Sequence, residues 1–296
     1  MHRKVIIGRI KEQILSLLPT AERRVMPIND VALTRSDNEL PTIQCFYVPM
    51  LAVVIQGEKR SVIGGHPANY GPGESVAVGV DLPGAYHIQG ADVENPFLSF
   101  SLKLNKKEIL DLLSEDASLR KPLPKDVSPV IVAESSLEIL SCISRILDVF
   151  EHPERLKIVW PLLRKEFHYY LLTGTQGESL RVFNSGELRS AQIASAIHFL
   201  RENFNTPLAM EEVADRVHMT TSSFNRHFHK ITGLSPLQFQ KQLRLFEAER
   251  ILVSEGGDVS SASLAVGYES LSQFIRDYKK QFGESPARDA RRKKQI

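Results

Sequence analysis

Ser222, Asn225, Arg226 and His229 fall at i, i+3, i+4 and i+7, the spacing that lines one face of an α-helix with hydrogen-bonding side chains. Arginine can donate a bidentate pair to guanine and asparagine to adenine, each worth roughly 1–3 kcal/mol of discrimination between bases. Phe224 and Phe228, also i, i+4, are expected to face a core on the opposite side. Fifty residues on, Ser272, Gln273, Arg276 and Lys280 form a second polar set, outward of Leu271, Phe274 and Tyr278, which are expected to make the buried side. Arg226 and Arg276 match across the two sets, but Asn225 meets Ile275. Isoleucine there could touch a thymine methyl or extend the core, so the sets are not expected to read the same bases. Gln273 has two readings, a base contact or a helix cap, because Ser270-Leu271-Ser272-Gln273 has the form of a capping box.

The elements that must position these side chains are visible as a duplication. Phe224-Asn225-Arg226-His227-Phe228, Lys230 and Gly233-Leu234-Ser235-Pro236 return as Phe274-Ile275-Arg276-Asp277-Tyr278, Lys280 and Gly283-Glu284-Ser285-Pro286. Ahead of each copy stands an apolar helix start, Val213-Ala214 and Leu264-Ala265, then a turn and a capping hydroxyl, Thr220 or Ser270. That order is helix, turn, helix. The alanines lie 51 apart and everything after the turn 50 apart, which predicts a second turn one residue shorter. Ser235-Pro236 places a cap and an N1 proline at the head of the run Pro236–Ser254, a helix about 27 Å long at ~1.5 Å per residue. A rigid connector of that length suits two reading heads on successive major-groove faces, roughly 34 Å apart. Arg291-Arg292-Lys293-Lys294 offers contacts to phosphates.

At 296 residues, 42% hydrophobic and 24% charged, the chain suits two globular domains, here drawn at 1–180 and 181–296. No apolar run approaches the ~20 residues of a membrane span, so no membrane partner is expected. Val5–Leu18 reads as an amphipathic helix and lacks the apolar centre and cleavage site of a secretion signal. Cys45 and Cys142 stand alone, which suits a reducing compartment, and a cytoplasmic location is expected. Residues 188–296 carry 16 Lys and Arg against 12 Asp and Glu, a net of +4, which fits a polyanionic partner.

The front half is a series of short β-type runs, Ile43–Val48, Leu51–Ile55, Lys59–Ile63, Val76–Val80, Ala85–Ile88 and Phe97–Leu104, divided by Gly and Pro turns. A small sandwich or barrel follows, with Leu98, Phe100, Leu102 and Leu104 on a buried face. Two helices, Leu137–Phe150 and Leu156–Leu172, are joined at Glu151-His152-Pro153 as a hairpin. Its apolar content makes it the expected dimer surface, with Ile143 and Leu147 as the positions to test. Thr173–Ser179 has linker composition.

No catalytic set converges in this half. Gly71-Pro72-Gly73-Glu74-Ser75-Val76 ends in Val and leads into a strand, so it is a turn rather than a dinucleotide site. His66 and His87 lack metal-ligand spacing. No metal, cofactor or enzyme activity is therefore expected. A barrel of this size can enclose a small ligand, with Tyr47, Tyr86 and His87 as candidate wall residues.

Ile193–Asp289 resembles the DNA-binding domain of AraC/XylS-type transcriptional regulators through Gly267-Tyr268-Glu269-Ser270, Phe274, Arg276, Tyr278, Phe282-Gly283 and Ser285-Pro286. Met219–Phe224, Ser235–Leu245 and Glu247-Ala248 are similar to the subgroup carrying the AraC-type N-terminal domain. The resemblance implies an α+β multidomain fold. Its first part would be a cupin-like barrel or sandwich with a helical hairpin, sensing an effector and dimerising. Its second would be an all-α domain with two helix-turn-helix units joined by a long helix. It further implies a sequence-specific DNA-binding regulator, an activator in contact with RNA polymerase and responsive to a small molecule, acting as a homodimer on a promoter site. By matching positions, Ser222, Asn225 and Arg226 would read bases in the first unit, and Ser272, Gln273 and Arg276 in the second. His218 departs from the family where the first turn often has glycine, and Ala209 where a capping serine is common.

Overall fold

Short apolar runs punctuated by Gly and Pro turns form the strands of the front half, nearly continuously buried in β-type runs such as Met50–Gln56 and alternating in Glu58–Ile63. A computed structural model describes residues 3–28, 30–119, 123–124, 127–185 and 188–293, with the side chain of Glu255 left out. Two units separate, Met1–Ile43 with Tyr47–Ala191, and Gln44–Phe46 with Gln192–Ile296.

The first unit opens with α1 (Arg3–Leu17) and continues through β1 (Glu22–Val25), β2 (Val31–Ser36), β3 (Leu40–Tyr47), β4 (Met50–Gln56) and β5 (Glu58–Ile63). Then come β6 (His66–Tyr70), β7 (Glu74–Val78), β8 (Leu82–Gln89), β9 (Phe97–Lys103), α2 (Lys106–Glu115) and β10 (Val130–Glu134). Helices α3 (Leu137–Phe150), α4 (Leu156–Thr173) and α5 (Gly177–Asn184) close the unit. The strands form a sandwich of two antiparallel sheets, ordered β1-β2-β9-β4-β7-β10 and β3-β8-β5-β6. Strand β9 lies between β2 and β4, and its Leu98, Phe100 and Leu102 are fully buried as expected, but Leu104 is only half-buried and Phe97 and Ser99 of the opposite set are buried as well, because a central strand is covered on both faces. Strands β1, β2, β6 and β10 were not evident from the sequence pattern. Three of these are edge strands, and β6 carries Pro67, which an edge position tolerates because one side of the strand needs no ladder donor.

The helical hairpin forms with the expected spans, but the two positions chosen to test it as a surface lie in the core. Ile143 and Leu147 are 0% exposed and pack into the core with Ile6, Ile10 and Ile14 of α1. A charge placed there would unfold the unit rather than probe a surface. The most exposed apolar side chains of the hairpin are Ile158 and Leu162 of α4, at 69% and 66%. Cys142 of α3 is buried beside Arg145, and burial, aided by Glu166, pushes its thiol up to about 12. It is therefore an inert thiol at neutral pH.

Thr173–Ser179 is not a linker. Gln176 is buried and its Nε2 donates to the Ser75 carbonyl (3.2 Å) and Oγ (3.0 Å), and Ser179 Oγ donates to the Ser128 carbonyl at 2.6 Å. A Cβ on Gly177 would lie 2.0 Å from the Leu172 carbonyl oxygen, so the small, polar composition reflects close packing rather than freedom. Among the described residues no helix is long and apolar enough to cross a membrane.

The second unit comprises α6 (Arg189–Glu202), α7 (Met210–Arg216), α8 (Thr221–Thr232), α9 (Pro236–Arg250), α10 (Val259–Ala265), α11 (Leu271–Phe282) and α12 (Pro286–Lys293). Thr220 and Ser270 cap α8 and α11, accepting from Ser223 N and Gln273 N, and Gly233 and Gly283 close both helices in the left-handed conformation. Ser235 and Gln238 form a full capping box at the head of α9. Ala209, at the N-cap of α7, offers no side-chain bond. The α-helical part of α9 stops at Arg250, about 22 Å from its start at ~1.5 Å per residue, and a π-helical turn, Ile251–Glu255, carries the chain on. The connector is thus not one uniform helix to Ser254.

The turns correct the expected alignment of the repeat. His218 (φ 55°) and Gly267 (φ 83°) are the left-handed turn residues, 49 apart, and matching bonds enclose each: Met219 N to Ala214 O and Tyr268 N to Ser263 O, both 3.0 Å. The caps Thr220 and Ser270 are 50 apart, so the second turn is one residue longer, not shorter, and Glu269 is the addition. Buried Ala214 corresponds to buried Ser263, whereas Leu264 is 67% exposed. The Val-Ala and Leu-Ala likeness misled because backbone sign, not side-chain type, sets the turn's register.

Candidate nucleic-acid interface

Phe224 and Phe228 of α8 are fully buried with ring centroids 5.4 Å apart, and Phe228 meets Phe239 of α9 at 5.3 Å. This aromatic floor fixes the helix's rotation about its axis. Ser222, Asn225, Arg226 and His229 are accordingly all exposed. In the second copy Phe274 and Tyr278 are fully buried, stacked edge-on at 5.6 Å, and Ser272, Gln273, Arg276 and Lys280 are exposed. Leu271 was expected on the buried side and is instead 42% exposed. It is the first residue of α11, where the helix has just left its cap and the core lies below the next turn. Ile275 is 37% exposed and does not extend the core. The described bond at Ser270 is the serine's half of the capping box, from Gln273 N at 3.4 Å.

What holds the second reading head against α9 was not legible in the sequence. Arg244 of α9 donates through Nε to the Phe204 carbonyl (2.7 Å), through Nη2 to that of Thr206 (3.1 Å) and through Nη1 to that of Gly267 (2.8 Å). Gln240, one turn earlier, donates to the carbonyls of Phe204 (3.1 Å) and Thr206 (3.0 Å). Burial lowers the Arg244 pKa from its ordinary value, and a carbonyl acceptor on each of its three nitrogens offsets that cost. Lys241 pairs with Asp277 of α11 at 2.7 Å, and Tyr268 donates to the same carboxylate at 3.3 Å. Polar residues at i, i+4 on a helix look like a solvated face. Only the path of the 203–207 loop across α9 reveals the latch.

Two members of the basic C-terminal cluster, Arg292 and Lys293, have partners within the fold. Asp289 is fully buried, and it accepts from Tyr278 Oη (3.0 Å), Arg292 (2.7 Å) and Lys293 (2.9 Å), while Lys293 also pairs with Glu249. Burial raises the Asp289 carboxyl, but the Lys293 and Arg292 donors outweigh it and hold the group below the usual carboxylate range. Arg291 is exposed, and Lys294 lies outside the described residues.

Of the candidate wall residues in the first unit, Tyr47 and Tyr86 come together and His87 does not. Strand β5 pairs with β8 so that Ser61 faces Tyr86 and Arg60 faces His87. Ser61 is buried and Arg60 exposed, so Tyr86 points inward between the sheets and His87 outward. Tyr47 is buried, donates to Ser61 Oγ at 3.3 Å, and shares with Tyr86 the ammonium of Lys59, which lies 5.9 Å and 3.9 Å from the two ring centroids. An inward lysine against two tyrosines passes unnoticed in the sequence because strand register is needed to see it. His66 pairs with Ile63, on the face opposite His87. Among the described residues no three His, Cys, Asp or Glu side chains converge to hold a metal ion.

Residues 27–179 match the family described as the AraC-type transcriptional regulator N-terminus, and residues 213–292 match a helix-turn-helix domain. The lactose operon transcription activator of Staphylococcus xylosus is 23% identical over 238 residues, covering 80% of this chain and 81% of that protein. The transcriptional activator RhaS of Escherichia fergusonii is 26% identical over 100 residues, covering 34% of this chain and 36% of its own. Among solved structures, ToxT of Vibrio cholerae with an unsaturated fatty acid bound superposes with a TM-score of 0.60 at 9% identity, covering 92% of this chain and 97% of that one. At that identity the likeness is one of fold.

Proposed function

This chain belongs to the AraC-type transcriptional regulators, and we propose from that premise that it binds a promoter duplex by placing α8 and α11 in adjacent major grooves. The observation that carries the reading is the duplicated helix-turn-helix whose two recognition helices expose Arg226 and Arg276 above buried aromatic floors. Ser222, Asn225 and His229 on α8, and Ser272, Gln273 and Lys280 on α11, complete the surface offered to bases and phosphates. Activation of transcription with RNA polymerase as partner is proposed because the lactose operon relative and RhaS are activators. We assign the chain no catalytic step and place its action in the cytoplasm, where the duplex is.

The test is capture of fragments from a random duplex pool by the full-length chain, followed by a salt titration. Log affinity is expected to fall linearly with log salt, by about 0.9 per phosphate neutralised. A chain that retains no duplex at about 50 mM salt, where counterion release is strongest, is not a DNA-binding regulator.

The first unit is proposed to take a small organic effector on the inner face that carries Tyr47, Lys59 and Tyr86, as ToxT takes an unsaturated fatty acid. An ammonium held over two aromatic rings suits a ligand with an anionic head and an apolar body. Homodimerisation is proposed through the outward face of α4. Leu162→Glu is expected to raise the dissociation constant of the dimer at least about tenfold in sedimentation, roughly the loss of one well-buried leucine contact, while leaving thermal unfolding unchanged. An unaltered association constant moves the dimer surface elsewhere.

A further inference from the structure

Resting on that DNA-binding reading, we propose that Leu271 and Ile275 form an apolar pair that reads thymine methyl groups, so that the half-site under α11 differs in chemistry from the one under α8. The two side chains are i, i+4 on α11 and 42% and 37% exposed. They run along one side of the stripe of Ser272 and Arg276, between it and the buried Phe274 and Tyr278. Their counterparts 50 residues earlier, Thr221 and Asn225, are polar. The second head therefore carries two aliphatic side chains where the first carries hydrogen-bonding groups.

An exposed apolar pair could equally face another protein, and the neighbouring charges decide between the two. Arg276, Lys279 and Lys280 are all exposed on the same helix. The one carboxylate within α11, Asp277, is occupied by Lys241 and Tyr268 toward α9. A partner for this face must be polyanionic and must also present small apolar groups at its surface. The major groove meets both demands, since phosphates line its walls and the thymine C5-methyl is the apolar group that projects from its floor. The first residues of a recognition helix are those that reach base edges, and Leu271 is the first residue of α11.

The experiment removes the methyl and nothing else. A duplex is selected from a random pool with the full-length chain, and the α11 half-site is identified as the one whose protection is lost with Arg276→Ala. Thymidines in that half-site are then exchanged singly for deoxyuridine. At one or two positions the wild-type affinity is expected to fall about fourfold, the factor corresponding to roughly 0.8 kcal/mol for one buried methyl-sized group. The double variant Leu271→Ala, Ile275→Ala is expected to bind both duplexes alike while still melting cooperatively and retaining the wild-type salt slope, which separates loss of the methyl contact from loss of the fold. If the wild type binds its selected duplex with normal salt dependence yet ignores every exchange, the methyl reading is overturned and the DNA-binding reading stands. Equal sensitivity of wild type and double variant assigns the methyl to other residues and also overturns it. Selection of no duplex at all removes the parent reading and the inference with it.

Discussion

Arg226→Ala and Arg276→Ala are each expected to lower affinity for the selected duplex by about 5- to 150-fold, the range that corresponds to the 1–3 kcal/mol of one bidentate arginine–guanine contact. Both side chains are exposed, and among the described residues neither enters an ion pair, so their loss costs the fold nothing. They stand on helices whose rotation is locked by Phe224 and Phe228 in one case and Phe274 and Tyr278 in the other. Truncation should therefore relax preference at one base pair per variant and leave the rest of each half-site intact. If the heads act independently, the double variant multiplies the two losses. Lys280→Ala provides the contrast. As a phosphate contact it should weaken all sequences alike and reduce the salt slope by about 1. Unchanged base preference in both arginine variants would remove them from base reading.

Gly267→Ala is expected to cost roughly 2–5 kcal/mol of stability, read as a lower denaturant midpoint, and to abolish protection of the second half-site. Two effects add. The residue sits at φ +83°, where any Cβ is strained by about 1–2 kcal/mol, and that Cβ would lie 2.0 Å from the Asn205 carbonyl oxygen. Asn205 cannot retreat, because Arg244 and Gln240 grip the carbonyls of Phe204 and Thr206 on either side of it. The first turn offers the reverse experiment at the equivalent position. His218 is exposed at φ 55°, so a side chain is tolerated there at a backbone cost, and His218→Gly should raise stability by about 1 kcal/mol. A Gly267→Ala protein as stable as wild type would break both the equivalence of the two turns and the role given to the latch.

The sequence alone determined the two-domain plan, the β-then-helical order of the front half, and the duplicated helical unit with its outward arginines. These follow from relations within one or two turns of chain: Phe224 to Phe228, Thr220 to Ser223, Ser235 to Gln238, the alternation of Leu98, Phe100 and Leu102. Such relations are set by helical and strand periods and by capping, and they survive whatever the rest of the chain does. Only the tertiary structure decided that Arg292 and Lys293 pair with the buried Asp289, that Arg244 joins Phe204 to Gly267, that Gln176 binds Ser75, and that Lys59 lies between Tyr47 and Tyr86. Except where Arg292 and Lys293 pair with a carboxylate one helical turn away, these partners lie apart in sequence and meet because another element carries them. Periodicity can say which face of a helix is buried, but what it is buried against, and which polar groups are captured on the way, depends on packing between elements and has no local signature.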